Sequence, residues 1–278
     1  MFAGFSKIAR YWWPPRVDIP VTAAKLSRFY AERSDYHAMT ANEDKIDHPQ
    51  VRMLLEMAKP SDLAVEFGCG GGLILNAVSQ RVRQAIGFDI SNEALGRARR
   101  RPGRQIALQG DVARIPLPNG CADIAYSLEV LEHIWDAEAV IREMIRVTKP
   151  GGTVFFTTPN GYSLDLHLKL RPLIRLLNFI GALTVHNAGR AGRIYQNIPP
   201  DLEALPVYPD CDMITRIHPR ELEEFAQQNG CHVQRLETFF FQVSKARSEA
   251  EKERYLDLER HPFYRYYGDH IMFLGRKK

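Results

Sequence analysis

Long apolar runs, a cysteine framework and an excess of one charge are all missing from this chain, and each absence excludes something. The most apolar late stretch, Leu164 to Val185, is broken by Asp165, His167, Lys169, Arg171, Arg175 and Asn178, so it fails as a membrane-spanning segment. The opening MFAGFSKIARYWWPPR has aromatic residues but neither the apolar core nor the cleavage site of a signal peptide. Cys69, Cys121, Cys211 and Cys231 are scattered, with no CxxC pair and no histidine at zinc-ligand spacing. Neither a disulfide frame nor a metal site is expected, and the thiols read as reduced in a cytoplasmic protein. The 37 basic and 33 acidic residues leave a formal charge of +4, which demands no polyanionic partner, so nucleic acid is not expected. No internal repeat or low-complexity tract is visible.

What is present is an ordinary globular composition, 45% hydrophobic over 278 residues, enough for one large domain carrying an insertion. Helix-like Gln50 to Ala58 leads into a short apolar strand, Leu63 to Phe67, then a glycine-rich turn and helix-like Leu73 to Gln80. Gln84 to Ile90 reads as a second strand. A helix over Asn92 to Arg101 follows, with Ser91 as its cap. Gln105 to Gln109, Ala122 to Ser127 and Thr153 to Thr157 read as further strands, with a helix over Ala137 to Val147 and a turn at Lys149-Pro150-Gly151-Gly152. The rhythm breaks over residues 160–217. It resumes with helix-like Glu221 to Asn229 and strand-like Val233 to Val243 and His270 to Arg276, around a helix-prone Ser248 to Arg260. Strands alternating with helices predict an α/β fold with a doubly wound, mostly parallel sheet, whose ligands sit at the carboxyl ends of the strands.

The turn LAVEFGCGGGLILNAV places Gly68 and Gly70 to Gly72 between strand and helix. Glycine alone takes positive φ cheaply and lets another group approach the backbone, so a ligand is expected against this loop. A dinucleotide-binding G-x-G-x-x-G would need a third glycine where Leu73 stands. The sequence gives instead E-x-G-x-G-x-G, as Glu66, Gly68, Gly70 and Gly72. With Asp89 closing GFDIS, Asp111 in QGDV, SLEVLEHI from Ser127 to Ile134, and KPGGTVFFTTPN from Lys149 to Asn160, the chain resembles the class I S-adenosylmethionine-dependent methyltransferases. Within these it is similar to small-molecule enzymes such as the ubiquinone-biosynthesis O-methyltransferases.

The resemblance implies a seven-stranded Rossmann-like methyltransferase fold with an insertion after the fifth strand, and S-adenosyl-L-methionine as cofactor. It implies Glu66 near the cofactor's ammonium, Asp89 on the ribose hydroxyls, Ile90 packed on the adenine, Asp111 on the adenine amino group and the Val112 backbone N–H on a ring nitrogen. It covers residues 50 to 160 closely and the last sixty loosely. The place after the fourth strand reads SLEV, not the N/D-P-P-Y/F tetrad of enzymes acting on planar nitrogens, which disfavours such acceptors; the reading adopted is a small molecule methylated at oxygen. Candidates are a quinone precursor, a saccharide or a lipid-linked intermediate. An RNA or protein methyltransferase, and a cofactor-binding protein without catalysis, are the alternatives.

His133, at the end of SLEVLEHI, is the candidate catalytic base, its imidazole titrating near neutrality. The competing reading makes it a structural residue that shapes the loop. Glu129 and Glu132 flank it, with Glu129 a candidate to face the same pocket; solvated helix-start residues are the competing reading. Arg97 to Arg104 reads as the solvated end of a helix or, alternatively, a phosphate-attracting run. Residues 1–49 are taken as an N-terminal helical cap and 50–278 as the methyltransferase domain. The insertion, 160–217, reads as a lid. Its amphipathic stretch 164–180, with Leu166, Leu170, Leu173, Leu177 and Ile180 against Lys169, Arg171 and Arg175, is also a candidate for peripheral membrane contact. The sequence leaves the oligomeric state open.

Overall fold

A computed structural model describes residues 20–33, 46, 48–161, 194–203, 211–239 and 268–278. The amphipathic stretch 164–180, the whole Ser248 to Arg260 helix expectation and residues 240–243 of the expected Val233 to Val243 strand lie outside these residues. Helix α1 (Ala23–Glu32) starts at Thr22, whose hydroxyl accepts from the Lys25 N–H at 3.2 Å. Helix α2 (Pro49–Met57) starts with a proline, which costs nothing where the N–H has no helical partner. The repeating strand and helix units follow: β1 (Leu63–Phe67), α3 (Leu73–Ser79), β2 (Gln84–Asp89), α4 (Asn92–Ala98), β3 (Ile106–Gln109), β4 (Ala122–Leu128), a 3₁₀ turn over Leu131–His133, α5 (Ala137–Val147) and β5 (Thr148–Pro159). The two short strands β6 (Tyr195–Asn197) and β7 (Thr215–Ile217) pair antiparallel. Helix α6 (Pro219–Gln228), β8 (Cys231–Phe239) and β9 (His270–Lys277) complete the described chain.

Seven strands form one sheet in the order β3-β2-β1-β4-β5-β9-β8. The first five are mutually parallel, while β9 runs antiparallel between β5 and β8. The seven-stranded, doubly wound expectation holds. Central strands are buried on both faces, which explains why β1 and β4 read as apolar runs rather than alternating ones. One face packs Val65, Phe67 and Phe156 against α5 residues Val140, Ile141 and Met144. The other packs Ala64, Tyr126 and Phe155 against Leu75 and Val78 of α3 and Leu95 of α4. Phe156 and Phe273 stack at 4.6 Å across the β5 and β9 pair.

Ser91 caps α4 as expected, accepting from the Ala94 N–H at 3.2 Å, and Asp136 caps α5 in the same way at 3.0 Å. The expected turn at Lys149 to Gly152 is absorbed into β5. Thr148 pairs with Ala122 and Thr153 with Ile124, so the four residues between them bulge without ending the strand. No helix among the described residues is long and apolar enough to cross a membrane.

Candidate active site

The strand order reverses between β1 and β4, and the crevice at their carboxyl ends is where an open parallel sheet holds ligands. The glycine loop leaves β1 there. Gly68, Gly70 and Gly72 all have left-handed φ, of 81°, 48° and 72°. A Cβ at Gly68 would collide with the Val130 side chain, and one at Gly72 would stand 2.6 Å from Ala98 Cβ. These two glycines therefore let β4 and α4 close on the loop. A Cβ at Gly70 would meet nothing within 4 Å, so this glycine borders open space.

Asp89, at the end of β2, holds the loop from the side. Its Oδ2 accepts from the Gly70 N–H at 2.7 Å and its Oδ1 from the Ser91 N–H at 2.8 Å. Arg101 anchors the loop's far edge, donating from Nε to the Gly71 carbonyl at 2.7 Å. Within the same run Arg97 pairs with Glu93 at 3.3 Å, and Arg99 donates to the Ala107 carbonyl at 3.1 Å. Part of the arginine run thus braces the loop and α4. Ile90 is half-buried, with its carbonyl accepting from Gln109 and, at 3.4 Å, from Ser27 on α1. Asp111 is exposed just past β3 and accepts from the Ala113 N–H at 2.9 Å, while Val112 behind it is buried.

Glu66 is buried at the end of β1, and the Tyr126 hydroxyl donates to its Oε2 at 3.1 Å. Burial, helped by nearby Asp89 and opposed by the Tyr126 bond, pushes its carboxyl up to about 8. Burial also pushes the neighbouring Cys69 thiol up. Open space beside Gly70, carboxylates at the ends of two adjacent strands and a buried carboxyl behind the loop suit a ligand with ribose hydroxyls, an adenine amino group and an ammonium. A carboxylate offers about four acceptor sites, so backbone bonds and ligand hydroxyls can share Asp89.

Beyond β4 lies a second group. Glu129 is the sole non-glycine residue with positive φ, 55°, among those described. Such a backbone costs about 1–3 kcal/mol and persists only where surrounding contacts impose it. Here its N–H donates to the Thr157 carbonyl at 3.0 Å, Thr157 Oγ1 donates to its Oε1 at 2.6 Å, and His270 Nε2 lies 3.2 Å from its Oε2. His270 Nδ1 stands 2.9 Å from Asp269 Oδ1, and its ring stacks on Phe239 at 5.5 Å. Burial alone would lower the His270 titration, but Glu129 and Asp269 on either side raise it to about 10. Glu132 is buried and accepts from Thr158 Oγ1 at 3.0 Å. Burial, with Glu129 adding and His133 opposing, pushes it up to about 8. Glu132 is therefore not a solvated helix-start residue, because its turn is roofed by the segment around β7.

His133, in the 3₁₀ turn after β4, keeps 16% of its side chain exposed. Its Nδ1 lies 3.3 Å from Oδ2 of the fully buried Asp212, and its Nε2 lies 3.7 Å from Glu132 Oε1. The Tyr30 hydroxyl of α1 donates to the same Asp212 oxygen at 2.7 Å. The fold thus brings Glu66, the three glycines and Asp89 into one cleft, with Asp111 and Val112 one strand away and His133 past β4. Sequence reasoning missed Asp212, Tyr30, His270 and Asp269, which reach the cleft from distant segments with no local pattern. The one available hint was polar residues inside otherwise apolar flanks, as in CDMITRI.

Residues 65–156 match the methyltransferase domain family. A protein of Mycolicibacterium smegmatis named as a probable S-adenosylmethionine-dependent methyltransferase is 33% identical over 96 residues, 34% of this chain and 37% of its own. A ubiquinone biosynthesis O-methyltransferase of Methylococcus capsulatus is 38% identical over 105 residues, 35% of this chain and 43% of its own. The chain thus spans well under two thirds of the curated relatives it matches. An S-adenosylmethionine-dependent methyltransferase structure from Mesorhizobium loti superposes with a TM-score of 0.55 over 85% of this chain and 99% of that one, at 19% identity. That likeness is one of fold.

Proposed function

We propose that this chain, whose residues 65–156 match the methyltransferase domain family, is a class I S-adenosylmethionine-dependent enzyme that transfers a methyl group to a hydroxyl of a small-molecule acceptor. A quinone precursor, a saccharide or a lipid-linked intermediate are the acceptors in view. The observation that carries the oxygen acceptor is the imidazole of His133, facing buried Asp212 just past the carboxyl end of β4.

When bound, the cofactor supplies a methyl group activated on a sulfonium. In-line displacement needs little covalent help, so the protein's tasks are alignment and removal of the acceptor's proton. The glycine loop offers its backbone at Gly70, with Asp89 toward the ribose, Ile90, Asp111 and Val112 toward the adenine, and Glu66 toward the ammonium. His133 takes the hydroxyl proton at Nε2. A carboxylate opposite Nδ1 favours the ring that forms once the proton has arrived. Separations of 3.3 Å in the free protein are compatible with this, because catalytic hydrogen bonds often tighten only when substrate is bound.

Three measurements test the reading. Calorimetry with S-adenosylmethionine and its demethylated product should show binding, and nicotinamide dinucleotides should give none. Comparing metabolites from cells with and without the protein should reveal a species differing by one methyl group. With that acceptor, His133→Ala should lose about 10²-fold or more in kcat while cofactor affinity stays intact. Equal turnover of mutant and parent from pH 6 to 9 would remove His133 as the base, and methylation of RNA or protein alone would replace the small-molecule acceptor.

A further inference from the structure

The geometry points to Asp212 and Tyr30 as positioning residues that orient His133 from two segments lying outside the matched methyltransferase domain. The inference rests on His133 as the base.

The segment carrying Asp212 is tied to the backbone on both sides of His133. The Ile214 N–H donates to the Glu132 carbonyl at 2.7 Å, Thr215 Oγ1 to the Ile134 carbonyl at 2.5 Å, and Asn197 Nδ2 to the Trp135 carbonyl at 2.9 Å. Three carbonyls bracketing the histidine are thereby held by Asn197, Ile214 and Thr215. The Asp212 segment is fixed in turn by Ile198 N–H to the Ile214 carbonyl at 2.6 Å and Asp201 N–H to the Cys211 carbonyl at 2.7 Å. Asp212 itself has no exposed surface. A buried carboxylate is costly unless it is compensated, and this one receives a hydrogen bond from Tyr30 Oη at 2.7 Å and lies at ion-pair distance, 3.3 Å, from His133 Nδ1, short of a formed hydrogen bond.

Tyr30 reaches Asp212 because α1 docks here. Leu26 and Val21 pack with Ile214, and Phe29 packs with Cys211. A packing role alone would be served by an apolar residue at position 212. A carboxylate facing one ring nitrogen has a further effect: it keeps the proton of neutral imidazole on Nδ1 and leaves Nε2 bare to accept a proton. Residues 65–156 supply the histidine, and the added segments decide which of its nitrogens is basic.

Nitrogen-15 NMR of the full-length protein, labelled at histidine and assigned with His133→Ala, tests this without an acceptor or a cofactor. In the parent protein, above the His133 titration, the proton should sit on Nδ1. Among the described residues, the charged groups facing the ring are Asp212 from across the cleft and Glu132 from its own turn, and Glu132 is left unchanged. Asp212→Asn should move the proton toward Nε2 and lower the titration midpoint by at least about one pH unit, since an anion favouring the charged ring is lost. Tyr30→Phe should raise the midpoint while leaving the proton on Nδ1, because the carboxylate no longer shares its charge with a hydroxyl. Opposite shifts in the two variants support the inference. An unchanged tautomer and midpoint in Asp212→Asn overturn it. Should that variant fail to fold, an unmoved midpoint in Tyr30→Phe overturns it equally. If both variants shift as expected while His133→Ala keeps full turnover, the orientation stands and the base assignment falls.

Discussion

Asp89 holds the Gly70 and Ser91 amides, and in the proposed function it also receives the ribose hydroxyls. Asp89→Ala should therefore weaken S-adenosylmethionine binding by about 1.5–3 kcal/mol, the range for hydrogen bonds to a charged group. In the free protein it should also speed hydrogen exchange of the Gly70 amide. Weaker binding with unchanged exchange would mean that the loop holds itself. The glycines separate by the same kind of reasoning. Gly72→Ala sets a methyl 2.6 Å from Ala98 Cβ at a left-handed φ and should cost about 2–4 kcal/mol in urea unfolding. Gly70→Ala meets open space and should cost about 1–2 kcal/mol, from φ alone. Equal losses at both positions would contradict the packing geometry.

At the scale of elements, α1 is a brace between the two ends of the cleft. Ser27 donates to the Ile90 carbonyl past the end of β2, and Tyr30 donates to Asp212 beside His133. Phe29→Ala, at a position only 6% exposed, should remove about 3–5 kcal/mol of docking. Amides of α1 should then exchange about 10²-fold faster or more, while those of β1 to β5 stay protected. Uniform acceleration across the sheet would show instead that α1 is part of the core.

The elements also show where the sequence could be read. β1 was legible to the residue, because an apolar run ending at a glycine loop has one interpretation, and α5 likewise, with its cap and its apolar stripe. The positions of Glu66, Asp89 and Asp111 in the fold were legible because each stands at or just past a strand end within a few residues of a local pattern. β6 and β7 were not, since three-residue strands carry no periodicity. The left-handed Glu129 was hidden as well: its conformation is imposed by Thr157 and His270, which come from other strands.

For the whole molecule, buried groups set the response to pH. Glu66 and Glu132 are raised from an ordinary 4.5 to about 8, and His270 from 6.5 to about 10. Between those limits the native state binds more protons than the unfolded chain, so stability falls as pH rises. Asp123 and Glu143 act oppositely: burial would raise them, but Lys149 and the Leu63 N–H, and Arg146 and the Ile115 N–H, hold them below the usual range. Their contribution is lost on acidification. Urea midpoints should accordingly peak near pH 5, from the balance of these directions, and decline toward pH 9. A Glu66→Gln, Glu132→Gln double variant should flatten the decline below pH 8, leaving the His270 part. A parent midpoint that rises from pH 5 to pH 9 would refute the assignment.

One further consequence follows from β9 lying between β5 and β8. Chains are synthesised in order, so β5, β8 and everything between them emerge before the strand that joins them. Until His270–Lys277 arrives, Thr153–Pro159 of β5 present a seven-residue edge with unpaired backbone groups, and β8 a second edge. Long bare edges recruit other strands, and pairings distant in sequence form slowly. A nascent chain stalled before residue 270 should therefore be a substrate for holdase chaperones, and release of the final strand should switch it from a sticky intermediate to a closed sheet.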